Sequence, residues 1–471
     1  MKNYIIEELQ NNIDNELISF HVPGHKSGKI YELLGYTDIL NNIYKMDTTE
    51  IIGTDNLHSP EGIISKSQER ASRVFKSEKT YYLIDGSTCG VQAAILAVCN
   101  PKDKIIVNRD CHQSVISACV LGEVEPVYLK PEINEEYNIS IGVSLCEIKK
   151  TIDKNKDAKA ILLTYPSYYG NTYNLNEICK YAHENNLVVI VDEAHGSHLG
   201  LSDDLPKTAL EQGADIVIQS THKTLPAFTQ SSMLHTQGNL INKEKIEVVL
   251  RMIQSSSPSY LLLSSLELAV DIYDKNGNRL MNELLDNIEL FKSKFAKNAS
   301  INILNDDDKT KVYISLKNIG LTGYELEIIL REEHNIQIEL SNYYGVLLVC
   351  TLGNEKEDFK ILENSLIDII DSKKKNKKLT SVKYPNIIPK KVISPREAFY
   401  KPKKSVKIEN SEGKICGENI VPYPPGISII SPGEVITKDI IEYLHLCIKE
   451  GMNISGIKDT KFEYIQVIEN R

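Results

Sequence analysis

Apolar residues along this chain fall into short runs, each ended abruptly by polar and ionisable groups. Leu187–Val191 runs straight into Asp192, Glu193, Ala194, His195 and Gly196, and Ile216–Ile218 runs into Gln219, Ser220, Thr221, His222 and Lys223. Runs of Val and Ile this short predict strands buried on both faces. The pattern recurs at Thr80–Asp85, Lys104–Arg109 and Ala160–Pro166, with helical stretches between, such as Val91–Cys99 and Leu175–Asn185. Strands alternating with helical crossovers from about Thr80 to Lys223 predict a mostly parallel sheet in an α/β protein.

Around this unit the pattern changes. Tyr4, Ile5, Leu9, Ile13 and Leu17 recur at helical spacing near the start, and a second helix is expected over Ile63–Phe75. Residues 47–62 between them form a polar loop, long enough to be functional. Beyond Lys223, Ser255–Tyr260 breaks the pattern, and a long helix is expected over Leu261–Phe295. Lys311–Leu316 and Val346–Thr351 read as strands of a smaller α/β unit. Lys373–Lys378 reads as a solvated linker. The tail carries Ile393–Glu397, the proline cluster Val421–Gly426 and a turn at Ser431–Glu434. Three parts are expected: 1–275, 276–380 and 381–471.

Composition narrows the class. A chain of 471 residues with net charge -10 disfavours a nucleic-acid or anionic-membrane partner. Nine cysteines without a CxxC spacing suggest reduced thiols in a cytoplasmic protein. Glu7, Glu8, Asp14 and Glu16 interrupt the first segment, which does not read as a signal peptide, and no run approaches the length of a membrane span.

Open α/β sheets place ligands beyond the carboxyl ends of their strands. Asp192 and Lys223 should therefore meet at the mouth of one crevice. A carboxylate and an amine there suit pyridoxal 5'-phosphate (PLP): the amine attaches the aldehyde, and the carboxylate keeps the pyridine nitrogen protonated. Gly86–Gly90, read as a tight turn opening a helix, offers N–H groups and hydroxyls to a phosphate, or an ordinary serine cap. His112, beyond another strand, can lie on a planar cofactor or cap the following helix. Two rival readings are weaker. DEAH at Asp192–His195 is also a helicase Walker B box, but the nearest Walker A candidate, Gly24–Gly28, has three intervening residues instead of four. A metal set of Asp192, His195, His198 and His222 leaves Lys223 and the Gly86 turn unexplained, so no metal is expected.

In chain order the motifs are PGHK (Pro23–Lys26), DNLHSPEGII (Asp55–Ile64), GST (Gly86–Thr88), DCHQS (Asp110–Ser114), VDEAHGSH (Val191–His198), STHK (Ser220–Lys223) and YPPGI (Tyr423–Ile427). This series resembles the Orn/Lys/Arg decarboxylases, and most the shorter Gram-positive arginine/lysine type; it thins between about 275 and 385. The resemblance implies a large domain of the aspartate-aminotransferase-like fold (PLP fold type I), a smaller α/β domain and a C-terminal module. It implies α-decarboxylation of a basic amino acid (arginine or lysine before ornithine) by a PLP enzyme that forms a homodimer or a higher homo-oligomer. Lys223 would carry the cofactor, Asp192 pair with its ring nitrogen, and His112 stack on the ring. Gly86, Ser87, Thr88, Ser220 and His222 would cradle the phosphate, and His195 would reach the O3′ or carboxylate side. The PGHK loop, with His25, and Glu434 would meet the substrate, Glu434 taking its distal cation. Relatives often show a Gly-Thr-Ser-Gly type of turn where this chain has Asp85–Gly90. Other PLP chemistries of this fold, an aminotransferase or an oxoamine synthase, and a non-catalytic binding subunit are the alternatives.

Overall fold

The computed structural model describes residues 4–373, 375, 379–385, 387–423 and 426–469. Part of the Lys373–Lys378 run, and Pro424 and Pro425 of the proline cluster, lie outside the described residues.

Seven strands form the central sheet: β1 (Lys79–Leu83), β2 (Lys104–Asn108), β3 (Glu125–Leu129), β4 (Ala158–Thr164), β5 (Val188–Asp192), β6 (Ile216–Gln219) and β7 (Ser232–Thr236). Their order across the sheet is β1-β7-β6-β5-β4-β2-β3. All run the same way except β7, which is antiparallel to β1 and β6. The mostly parallel sheet expected from the alternation is present; β3 and β7 were not anticipated. Alternate residues explain why both faces are covered. Ile161, Leu163, Val189, Val191 and Val217 join one core, and Ala160, Leu162, Ile190, Ile216 and Ile218 join the other. Each such side chain contributes about 1.5–3 kcal/mol on burial. All five residues of β5 are buried, so Asp192 is carried into the interior by its own strand.

The stretch read as a turn at Gly86–Gly90 is instead the first turn of a helix, Gly86–Val98. Gly86 has φ +74°, so the chain reverses sharply off β1 at a residue without a side chain and enters the helix at once. Ile63–Phe75 is a helix, as expected, and 47–62 contains no helix or strand. The helix at Tyr4–Asp14 has no buried residue.

A continuous helical stretch from Tyr260 to Phe295, with a π-helical turn at Tyr273–Gly277, leaves the large sheet. The junction expected at 275/276 falls within that turn. Beyond it, β8 (Asn302–Ile303), β9 (Lys311–Ser315), β10 (Leu340–Asn342) and β11 (Gly345–Val349) form an antiparallel sheet in the order β8-β9-β11-β10. Ile18–Phe20 pairs in parallel with Ile336–Ile338, which ties the N-terminal segment to this smaller unit. The C-terminal part packs through Ile427, Ile429, Ile430 and Leu444 against Tyr313 and Leu347. Among the described residues, no helix is long and apolar enough to cross a membrane.

Candidate active site

Strand ends and loops from four parts of the chain converge beyond the carboxyl edge of the sheet. β5 delivers Asp192, and the loop after it delivers His195. After β6, a single helical turn at Thr221–Thr224 presents Lys223. Lys223 Nζ lies 3.0 Å from His195 Nε2. The ring of Tyr168 meets His195 edge-on, with 4.5 Å between centroids. Tyr168 donates 2.8 Å to Glu339 Oε1, and Glu339 Oε2 accepts 2.9 Å from the Val22 amide. One line of contacts thus joins Lys223, through both domains, to the PGHK loop.

Burial sets the ionisation of these groups. It lowers the Lys223 amine from its ordinary value; the charges of Asp192 and Glu339 partly oppose this, and Lys311 adds to it. Burial, then the Lys223 and Lys311 cations, hold His195 well below the usual imidazole range, so it is neutral. Asp192 is raised by burial, with Lys223 and His112 pulling it back. Among the described residues its carboxylate accepts one hydrogen bond, 3.2 Å from the Ala194 amide.

Ser220 Oγ donates 2.7 Å to Ser87 Oγ at the start of helix Gly86–Val98. Thr88, exposed, follows in the same first turn, whose amides have no intrahelical acceptor and carry the positive end of the dipole. His222 Nδ1 lies 2.9 Å from the Ser231 carbonyl, and its own carbonyl accepts 2.7 Å from the Gly24 amide. A Cβ on Gly24 would stand 2.5 Å from the Leu225 carbonyl oxygen, so only glycine lets the PGHK loop approach this closely. His25 stacks on Tyr31 at 5.7 Å. Burial, then Lys26 and His222, lower it to about 4, leaving it neutral. His112, exposed, caps helix Gln113–Gly122, its Nδ1 accepting 3.2 Å from the Ser114 amide. The capping alternative therefore holds, and it leaves the ring beside Asp192, whose charge it feels.

Glu434 requires a correction. It was expected to meet the substrate's distal cation, but both its oxygens are taken by Arg109, at 2.6 and 2.7 Å, and neither side chain is accessible. The turn that places Glu434 faces the end of β2, and Arg109 there supplies the fork that a carboxylate fits best. Asp55 spends its oxygens on the amides of Asn56, Glu61, Gly62 and Ile64 at the start of the Ile63 helix. His198 faces Asp308 at 3.1 Å and not Asp192.

Residues 5–314 match the family model described as the Orn/Lys/Arg decarboxylase major domain, and residues 377–460 match its C-terminal domain. The chain is 34% identical over 469 residues to the arginine decarboxylase of Bacillus anthracis, covering 96% of this chain and 94% of that one. The chain belongs to the Orn/Lys/Arg decarboxylase family. It is 33% identical to the arginine decarboxylase of Bacillus subtilis, covering 98% of this chain and 97% of the relative. Among solved structures, the lysine decarboxylase of Francisella novicida superposes with a TM-score of 0.78 at 22% identity, covering 95% of this chain and 78% of that one. Members of this family decarboxylate a basic amino acid. The geometry suits such a decarboxylase. A buried carboxylate held above its ordinary range fits a cationic ring nitrogen. An amine whose basicity desolvation lowers fits an aldehyde, and a helix N-terminus flanked by paired serine hydroxyls fits a phosphate.

Proposed function

We propose that this decarboxylase uses PLP and acts on arginine, releasing CO2 and agmatine. The observation that carries the reading is the Lys223 amine, presented just past a strand end 3.0 Å from His195, its basicity lowered by desolvation, with Asp192 buried at the end of the adjacent strand. The names of the Bacillus relatives favour arginine over lysine and ornithine. PLP, when bound, supplies an electron sink for the pair left behind as CO2 departs. Lys223 Nζ would be the amine that holds the cofactor. Asp192 would pair with its ring nitrogen, and His112 would lie against the ring. Gly86, Ser87, Thr88 and Ser220 hold the phosphate, with His222 closing that side. Neutral His195 can accept or return a proton at Lys223 Nζ.

Glu339 takes the role once expected of Glu434. Besides Asp192, it is the carboxylate whose charge acts on Lys223, and its two hydrogen bonds to Tyr168 and Val22 hold it at the cleft. His25, in the loop that Val22 opens, lies on the same side. The PLP-loaded protein should therefore release CO2 from arginine faster than from lysine or ornithine. Glu339→Gln should raise KM for arginine roughly tenfold, the loss of one charge-assisted contact. No CO2 from any of the three amino acids would sink the reading. CO2 release with an unchanged KM in the variant would remove Glu339 alone.

The large-domain sheet order supports the aspartate-aminotransferase-like fold type I. A homodimer is supported by the helix Tyr4–Asp14, which leaves Tyr4, Ile5 and Ile13 largely exposed on one chain. Light scattering giving the mass of a single chain would refute it. All nine cysteines are free, which supports a reducing, cytoplasmic setting.

A further inference from the structure

Next to the His195 backbone lies a buried ionic cluster built from Asp308, Thr310 and Lys311 of the smaller domain and His198 of the large one. Asp308, Thr310 and Lys311 are all 0% exposed, and His198 is 1% exposed. Asp308 Oδ1 accepts from the Thr310 hydroxyl at 2.7 Å and the Thr310 amide at 3.0 Å, and lies 3.1 Å from His198 Nε2. Asp308 Oδ2 accepts from Lys311 Nζ at 3.2 Å. Lys311 Nζ also reaches the carbonyl oxygen of His195, at 3.4 Å. The Asp308 amide donates 2.9 Å to the Gly170 carbonyl, next to Tyr168 and Tyr169. A Cβ on Gly170 would stand 2.9 Å from Lys311 Cβ, so the two segments are pressed together. The cluster therefore grips two loops, one carrying His195, which meets Lys223, and the other carrying Tyr168, which packs on His195.

A buried ion pair is a costly way to join two loops, since apolar packing of equal volume often does as well or better. Its charges, though, are felt strongly in a poorly screened interior. We propose that Lys311 and Asp308, which touch neither substrate nor cofactor, are positioning residues: they hold the His195 loop in register with Lys223 and tune the field at its amine. The Lys311 ammonium is one residue removed from Lys223 through His195, and it disfavours a second positive charge there. Asp308 opposes it and limits the effect. Lys311 lowers both Lys223 and His195, and Asp308 opposes it at His195. Burial raises Asp308, but Lys311 and His198 outweigh it and hold the carboxyl far below its usual range, so Asp308 is a carboxylate at neutral pH. Asp192, Glu339, His112, His195 and His222 also face Lys223 and are unchanged in the variants below.

This inference rests on Lys223 being the cofactor-binding amine, but its test does not need turnover. Full-length PLP-free protein would be labelled with trace acetic anhydride across a pH series, and acetylation of Lys223 followed by mass spectrometry. Lys311→Met removes a positive charge and leaves Asp308, so the Lys223 titration should move up by about one pH unit. Asp308→Asn leaves Lys311 unopposed, so the titration should move down. A purely structural role would shift both variants the same way, or neither, and either result would overturn the proposal. If Lys311→Met does not fold, the downward shift in the near-isosteric Asp308→Asn decides the matter alone. The pH titration of the visible band of the PLP-loaded variants should follow the same opposite signs. Opposite shifts in a wild-type protein that releases no CO2 would mean that the field is as described and the assigned reaction is not.

Discussion

Lys223→Ala is expected to lower CO2 release from arginine by on the order of 10³-fold or more. The size of the effect follows from two functions resting on one atom. Nζ is the group proposed to attach the cofactor, and it lies 3.0 Å from His195, close enough to pass a proton in the cleft. Alanine removes both and leaves the surrounding cradle intact, since Lys223 is only partly buried and supports no core. Borohydride treatment of the PLP-loaded wild type should fix the cofactor on Lys223, and the variant should incorporate none. Label appearing on another lysine, Lys26 or Lys311 for instance, would mean that the wrong amine has been assigned. Retained activity without label would mean that covalent attachment is not needed.

Glu434→Gln should act on stability. Arg109 and Glu434 form a two-pronged pair with side chains 0% and 1% exposed. Arg109 Nε also donates 2.8 Å to the Ser428 carbonyl, and the guanidinium lies 4.5 Å over the Tyr128 ring. Glu434 Oε2 accepts 2.7 Å from the Ser431 amide besides. These contacts pin the C-terminal module to the end of β2, three residues before His112. Removing the carboxylate charge strands a guanidinium in the interior, which costs about 3–5 kcal/mol. Urea unfolding should show this loss, while KM for arginine stays near the wild-type value. Replacing both partners with apolar residues, Arg109→Met with Glu434→Leu, should recover much of it, because no charge is then left unpaired. A large rise in KM with unchanged stability would restore Glu434 to the substrate.

The candidate site residues legible in the sequence share a local signature. Asp192 and Lys223 each end a Val/Ile run, and a parallel strand buried on both faces must shed its first polar residues at the carboxyl edge. Ser87 and Thr88 open a helix directly after a strand, which follows from the glycine before them. His112 also stands at a strand end. The boundaries slipped where the signal was not periodic: Gly86–Gly90 was read as a turn because its small polar residues resemble one, whereas they form the first turn of a helix. β7 was missed because Ser232–Thr236 mixes polar and apolar residues, and only pairing on both sides buries all five.

Glu339 and the Asp308–Lys311 pair left no such trace. Glu339 lies beside a three-residue strand, in the region where the family resemblance thins. Asp306–Asp308 reads as a solvated acidic run, yet Asp308 is wholly buried. The sequence by itself determined the sheet, the strand ends and the amine, carboxylate and hydroxyls gathered there, because these follow from short-range alternation of apolar and polar residues. Tertiary structure alone decided which distant carboxylate lines the cleft and which is consumed in a buried ion pair. Glu434 and Glu339 are the same residue type, both in the C-terminal half. One meets a buried arginine 325 positions away and the other a tyrosine and an amide at the active site. Charge and burial are set by partners far off in the chain, and no local pattern encodes them.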